Sequence, residues 1–267
     1  MSYANYQSWK MQAVTEPYVS VVIPAYNEAE RILPTLGAVA VVVSSFGYDW
    51  ELIVSDDGSK DDTAALVESL SWANLRVIRH ANTGKGGAVK RGVLAARGKR
   101  ILFADADNST PIEELPRMMR ELDSGFAVTV GSRAADGAVE ENKSPLRHLV
   151  SGALRLVAGR LSGVQVKDTQ CGFKLFTREA ALLLFGEQKM LGFSFDLELL
   201  YLANKYGLKV SEVPVHWFDA PGSKVNSVRD SVQFFKDILA VRKLDARGEY
   251  SRAKLPALEP SLEEVTL

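Results

Sequence analysis

Short, almost unbroken apolar runs alternate with helical patterns along the first half of the chain. This rhythm constrains the fold more than any other feature. Val19 to Pro24, Trp50 to Ser55, Leu75 to Arg79, Ile101 to Ala104 and Phe126 to Ser132 read as strands. Between them Glu30 to Phe46, Asp61 to Ser71, Gly86 to Arg97 and Pro111 to Asp123 read as helices, the last with proline and acids in its first turn. Strands apolar on both faces, each followed by a helix, build a sheet covered on both sides. The predicted class is α/β, with a Rossmann-like, mostly parallel central sheet and helices on both faces. After Arg133 the rhythm breaks. The stretch 134–144 reads as a polar loop, Pro145 to Ser162 as a helix and Gly172 to Phe176 as a short strand. Phe195 to Tyr206 reads as a helix, Lys209 to Val215 as an edge or closing strand, and Val228 to Leu244 as a final helix. No repeat and no linker is visible. One domain over 19–244 is predicted, between an N-terminal extension (1–18) and a C-terminal tail (245–267).

The polar residues cluster where the strands end. Pro24-Ala-Tyr-Asn-Glu28 follows the first strand and Asp56-Asp-Gly-Ser59 the second. Asn82-Thr-Gly-Lys-Gly-Gly87 follows the third and Asp105-Ala-Asp107 the fourth. In a parallel sheet these ends share one edge, where open α/β folds bind ligands. Asp105 and Asp107, two apart in extended backbone, point to the same side. Their hard oxygens suit Mg²⁺ or Mn²⁺, a metal that usually also holds a substrate diphosphate. Ordinary turn chemistry also favours Asp, Asn, Ser and Gly at such places. A nucleotide diphosphate explains the whole set: Tyr26 against a base, Asp56 on a base N–H, glycines 84, 86 and 87 for close phosphate approach, and Lys85 for charge. No Gly-Lys-Ser/Thr closes the glycine loop, and no Gly-x-Gly-x-x-Gly follows the first strand. Those absences disfavour a P-loop NTPase and a dehydrogenase.

A net charge of -1 over 267 residues gives no global pull toward nucleic acid or an anionic surface. The single Cys171 fits a reducing, cytoplasmic setting. The most apolar stretch, Leu36 to Val43, is far short of the roughly 18 residues that suggest a spanning helix. Nothing before Glu16 has the apolar core of a signal peptide.

Val21-Val-Ile-Pro-Ala-Tyr-Asn-Glu28, Leu52-Ile-Val-Ser-Asp-Asp-Gly-Ser59 and Asp105-Ala-Asp107 resemble family-2 glycosyltransferases with the GT-A fold. Further pieces narrow the resemblance to transferases that use polyprenyl phosphates, the dolichyl-phosphate β-glucosyltransferases first and the dolichol-phosphate mannosyltransferases next. They are Gly84-Lys-Gly-Gly-Ala-Val89, Asp168-Thr-Gln-Cys-Gly-Phe-Lys-Leu-Phe176, Phe195-Asp-Leu-Glu-Leu-Leu-Tyr201, Glu212-Val-Pro-Val-His-Trp217 and Gly222-Ser-Lys224. The resemblance runs from about Val19 to Leu244, with 19–133 as the nucleotide-sugar half and 134–244 as the acceptor half. It implies inverting transfer of a hexose, foremost glucose from UDP-glucose, to a polyprenyl or dolichyl phosphate. By position it implies that Pro24, Tyr26, Glu28 and Asp56 hold the nucleoside, that Lys85 lies near the nucleotide, and that Asp105 and Asp107 bind metal. Arg133 and Arg147 would meet the acceptor phosphate, and Lys224 would sit in a loop closing over the phosphates. Mannosyltransferase relatives place a Gln as a further metal ligand where this chain has Ser109, a weaker donor. Eukaryotic glucosyltransferase relatives carry an N-terminal membrane helix, and no segment before Val19 reads as one.

A phosphate monoester is already an anion near neutral pH, so such an acceptor needs no general base. A hydroxyl acceptor would need one, and Asp168 and Asp196 are the candidates. The other readings are a GDP-mannose donor, a glycan or soluble hydroxyl acceptor, and a silent nucleotide-sugar-binding module. Between Asn142 and Lys167 there is no acid, while Lys143, Arg147, Arg155, Arg160 and Lys167 are basic and leucines and valines recur at helical spacing. Such a helix fits either peripheral membrane contact or core packing with a solvated basic edge. Val228, Val232, Phe235 and Leu239 form a second stripe, for core packing or a homodimer. His80, His148 and His216 lack metal-ligand spacing and read as structural.

Overall fold

The computed structural model describes residues 2–141, 166–218 and 227–250. In chain order the helices are α1 (Ser2–Met11), α2 (Ile32–Ser45), α3 (Thr63–Ser69), α4 (Lys85–Ala95), α5 (Leu115–Asp123), α6 (Arg178–Glu187), α7 (Phe195–Lys205) and α8 (Ser227–Ala246). The strands are β1 (Val19–Ala25), β2 (Trp50–Asp56), β3 (Leu75–Arg79), β4 (Arg100–Ala104), β5 (Val128–Ser132), β6 (Val139–Glu141), β7 (Phe173–Thr177), β8 (Val210–Pro214) and β9 (His216–Phe218). Seven of them form one sheet in the order β3-β2-β1-β4-β7-β5-β8, and β6 pairs with β9 alongside. All pairings in the main sheet are parallel except those of β7, which runs antiparallel between β4 and β5. The predicted closing strand is β8, at the sheet edge. Part of the predicted loop 134–144 is β6, and the predicted helix Pro145 to Ser162 lies outside the described residues.

Side chains alternate between two cores, as a two-sided sheet requires. Val21, Ile23, Leu52, Val54 and Leu102 face a cluster with Leu36 and Val39 of α2 and Met118 and Leu122 of α5. Val22, Ile53, Ile101 and Phe103 face the other, with Val89 and Val93 of α4, Leu184 of α6 and Leu199 and Leu202 of α7. The segment before β1 is no loose extension. Trp9 of α1 stacks on Trp50 at 4.1 Å between ring centroids and donates its indole N–H to the Trp50 carbonyl at 2.8 Å. Asn74 ties the end of the helix down, donating to the carbonyls of Trp9 and Gln12 and accepting from the Val14 N–H. At the other end of the chain, Tyr250, beyond α8, is buried as well.

The antiparallel strand shapes the site. Because β7 runs opposite to β4, its start pairs Phe173 with Ala104. The turn Asp168–Gly172 therefore lies at the same sheet edge as the C-terminal ends of β1, β2, β4 and β5.

Candidate active site

Asp105 and Asp107 follow the end of β4 on this edge, both partly exposed. The Asp105 N–H donates to the Gly172 carbonyl at 3.1 Å. The Asp107 carboxylate accepts the Ser109 N–H at 3.0 Å, which closes the turn. Ser109 is buried, and its carbonyl accepts the Phe218 N–H at 2.9 Å. Among the described residues no set of three His, Cys, Asp or Glu side chains forms a metal cage. Two carboxylates side by side still fit a divalent ion that takes its other ligands from a diphosphate and water.

The loops after β1 and β2 are stitched together. Asn27, at positive φ, accepts the Lys60 N–H at 2.8 Å and donates its own N–H to the Ser59 hydroxyl at 2.9 Å. Pro24 is a buried strand residue paired with Ser55, so it shapes the strand end, while Tyr26 stands half-buried at the edge itself. The Glu28 carboxylate is taken up by Arg31, through Nε and through Nη2 at 2.9 Å. Arg31 in turn is held charged chiefly by Glu28 against the pull of burial, with help from Asp107 and Asp105. Asp56 is buried: one oxygen accepts the Ser59 N–H at 3.3 Å, and Oδ1 has no hydrogen-bond partner among the described residues. Asp57 is fully used, accepting from Thr83 N–H at 2.9 Å and Gly84 N–H at 2.8 Å.

The glycine loop does something other than expected. A Cβ on Gly84, which has φ of +96°, would come within 2.6 Å of the Leu191 carbonyl oxygen. One on Gly86 would come within 2.9 Å of the carbonyls of Met190 and Gly192. These glycines admit the backbone of 190–192, where phosphate approach was the expected reason. Glu198 holds that segment by accepting the N–H groups of Lys189 and Met190, both at 2.8 Å. Lys85 opens α4 and reaches Asp105 at 2.7 Å. Burial works against its charge, but Asp105 and Asp196 outweigh it and raise the lysine's pKa.

Asp168 and Arg133 form one unit. The carboxylate of Asp168, 1% exposed, accepts from Arg133 Nε at 2.7 Å, Nη2 at 2.9 Å and the Arg133 N–H at 3.0 Å. Burial opposes that carboxylate's charge, yet the guanidinium holds its pKa well below the usual range. Arg133 also lies over the Trp217 ring at 5.4 Å. Asp196 is buried and pairs with the fully buried Lys174 at 2.6 Å; burial pushes its pKa up despite that partner. Arg147, Lys224 and His148 lie outside the described residues. His80 is structural, held by Ser55 and Arg91 at 3.1 Å each.

The chain matches "Glycosyl transferase family 2" over residues 20–184. It is 37% identical over 241 residues to a dolichyl-phosphate beta-glucosyltransferase of Dictyostelium discoideum, covering 84% of this chain and 74% of that protein. The chain belongs to glycosyl transferase family 2. A second relative in this family, dolichyl-phosphate beta-glucosyltransferase of Saccharomyces cerevisiae, is 34% identical over 88% of this chain and 77% of its own length. Among solved structures, glucosyl-3-phosphoglycerate synthase of Mycobacterium tuberculosis, in complex with Mn²⁺, uridine-diphosphate and glucosyl-3-phosphoglycerate, matches with a TM-score of 0.62 at 20% identity, over 93% of this chain and 84% of that one. Mannosyl-3-phosphoglycerate synthase of Rubrobacter xylanophilus matches with 0.61 at 18%, over 91% and 79%. The family-2 chain is thus a glycosyltransferase with the GT-A fold.

Three residues that shape the site do not stand out singly in the sequence, although Lys174 and Glu198 lie inside the motifs Asp168–Phe176 and Phe195–Tyr201. Arg31 sits in a run that reads simply as helix, Lys174 inside a strand, and Glu198 in the first turn of α7. The i,i+3 spacing of Glu28 and Arg31 is the one available hint.

Proposed function

We propose that this glycosyltransferase moves glucose from UDP-glucose to a polyprenyl phosphate, with inversion and with a divalent cation. The observation that carries the reading is the shared strand edge. The unpartnered, buried Asp56 Oδ1 there suits a base N–H, and Asp105 and Asp107, two strands along the same edge, suit the cation of a diphosphate. The names of the relatives favour glucose and a dolichyl-type acceptor. A bound Mg²⁺ or Mn²⁺ would neutralise charge on the departing diphosphate. Asp105 and Asp107 would hold it, with the Ser109 hydroxyl as a weak third donor.

The chain's own residues have three further tasks. Tyr26 and Asp56 orient the nucleoside, and Glu28 acts through Arg31, which it aims at the carboxylate pair. Lys85 keeps Asp105 in place. Arg133, whose Nε and Nη2 are braced by Asp168, would bring its positive charge to the acceptor phosphate together with Arg147, while Lys224 would cover the donor phosphates. Both candidate bases for a hydroxyl acceptor are engaged, Asp168 by Arg133 and Asp196 by Lys174. That supports an acceptor that arrives already anionic. Among the described residues no helix is long and apolar enough to cross a membrane. The proposed setting is the cytoplasmic face of a membrane, met peripherally.

Incubation with a panel of radiolabelled nucleotide sugars, short polyprenyl phosphate and Mn²⁺ tests this. Label should enter the organic phase from UDP-glucose and depend on the lipid phosphate. Transfer to the unphosphorylated polyprenol instead would overturn the acceptor assignment. Arg147→Ala should raise the acceptor KM far more than the donor KM, and an unchanged acceptor KM would remove Arg147 from the phosphate site.

A further inference from the structure

We propose that Asp196 and Lys174 are a positioning pair that fixes where the Asp105 carboxylate stands, an inference that rests on Asp105 being a metal ligand. Four side chains of alternating charge run inward from the rim: Asp105, Lys85, Asp196 and Lys174. The outer two are 2.7 Å apart and the inner two 2.6 Å. Lys85 feels both carboxylates, with Asp105 the stronger and Asp196 behind it.

The inner pair is buried between β7 and α7. Lys174 stands on β7 opposite Phe103 and Val130, is wholly buried, and donates to the Cys171 carbonyl at 2.6 Å. Asp196 opens α7 next to Phe195, which packs edge-on against Phe103 at 5.7 Å. Phe103, on β4, lies two residues before Asp105, which follows the strand's end, so α7 grips this segment through both the ring and the charge chain. Gly172 completes the seat, because a Cβ there would lie 1.9 Å from Asp105 Oδ2. Lysine on one side and bare glycine backbone on the other leave the carboxylate little room to turn. As filler the pair would be a poor choice, since apolar residues of like volume commonly stabilise a core better than buried ions. Its position behind a metal-ligand carboxylate explains its presence, and groups of this outer layer tune metal affinity.

Mn²⁺ binding to the full chain with saturating UDP, read from the electron paramagnetic resonance signal of unbound ion, tests the proposal. The variants are Asp196→Asn and the double change Lys174→Met with Asp196→Leu, with thermal unfolding followed in parallel. The expected result is roughly 10–100-fold weaker Mn²⁺ binding in both variants, with the double variant unfolding no earlier than wild type. Asp196→Glu, which keeps the charge, should recover most of the affinity. Wild-type Mn²⁺ affinity in the folded double variant overturns the proposal; should that variant not fold, wild-type affinity in Asp196→Asn does so. A wild-type chain that binds no Mn²⁺ with UDP overturns the metal reading itself.

Discussion

The two ends of β2 carry buried carboxylates in opposite circumstances. At the start of the strand Glu51 is completely satisfied. Ser20 donates to it at 2.7 Å, the Arg97 N–H at 2.7 Å, Arg97 Nε at 3.0 Å and Arg76 at 3.0 Å. At the end of the same strand Asp56 keeps a buried oxygen with no hydrogen-bond partner among the described residues. On the same sheet edge, two strands away, Asp105 and Asp107 lean on one lysine and one backbone N–H. A protein spends its donors fully where the only task is to hold the fold. It withholds them where a ligand is to bring its own.

Substitutions that swap these characters are the way to break the comparison. The largest effect is expected at Asp107→Ala: transfer should fall on the order of 10³-fold through lost stabilisation of the leaving diphosphate, with the unfolding temperature unchanged. Activity assays beside calorimetry check both halves. At the opposite end Trp9→Ala should do the reverse, costing about 3–5 kcal/mol of stability while the folded fraction keeps wild-type kcat. Chemical denaturation and active-site titration measure this. Gly84→Ala lies between the two regions in kind. Its Cβ collides with Leu191, so about 1–3 kcal/mol of stability and some donor affinity should be lost together, as denaturation and UDP binding would show.

The effect at Glu51 is of the same modest size and depends on pH. Burial opposes its charge, but the hydrogen bonds from Ser20 and Arg97 and the charge of Arg76 lower its pKa overall. The folded state therefore keeps Glu51 ionised at pH values where the unfolded chain, near about 4.3, already takes up a proton. Its contribution is complete above that value and is lost as pH falls below it. Glu51→Gln should cost about 1–3 kcal/mol at pH 7 and flatten the acid limb of the stability profile, measured by denaturation from pH 7 to pH 3.

The parallel half of the molecule is legible in the sequence because its signals are local. Apolar runs set β1 to β4, and the handed βα rhythm puts their ends on one edge, so the sequence alone brings Asp56, Asp105 and Asp107 together. What escapes is non-local. Strand β7 is visible as a run, but its antiparallel insertion between β4 and β5 depends on pairing partners far apart in sequence. Lys174 consequently reads as part of a motif on a strand, with nothing local to show that this pairing buries it behind the site. Helix α1 has no apolar stripe and docks through the aromatic rings of Tyr6 and Trp9, so periodicity cannot find it. Helix α6 also escapes, although Thr177 caps it by accepting the Ala180 N–H at 3.2 Å. The glycines at 84 and 86 stand out in the sequence but their neighbour does not, because the backbone they admit comes from residues 190–192.

Calorimetric titration of UDP into the wild-type chain and into Asp107→Asn, each with Mn²⁺ and with EDTA, tests the central claim most directly. The account predicts that Mn²⁺ tightens UDP binding to the wild type by about tenfold or more, or about 1.4 kcal/mol, and that the gain disappears in Asp107→Asn. Equal UDP affinity with Mn²⁺ and with EDTA in the wild type would contradict it.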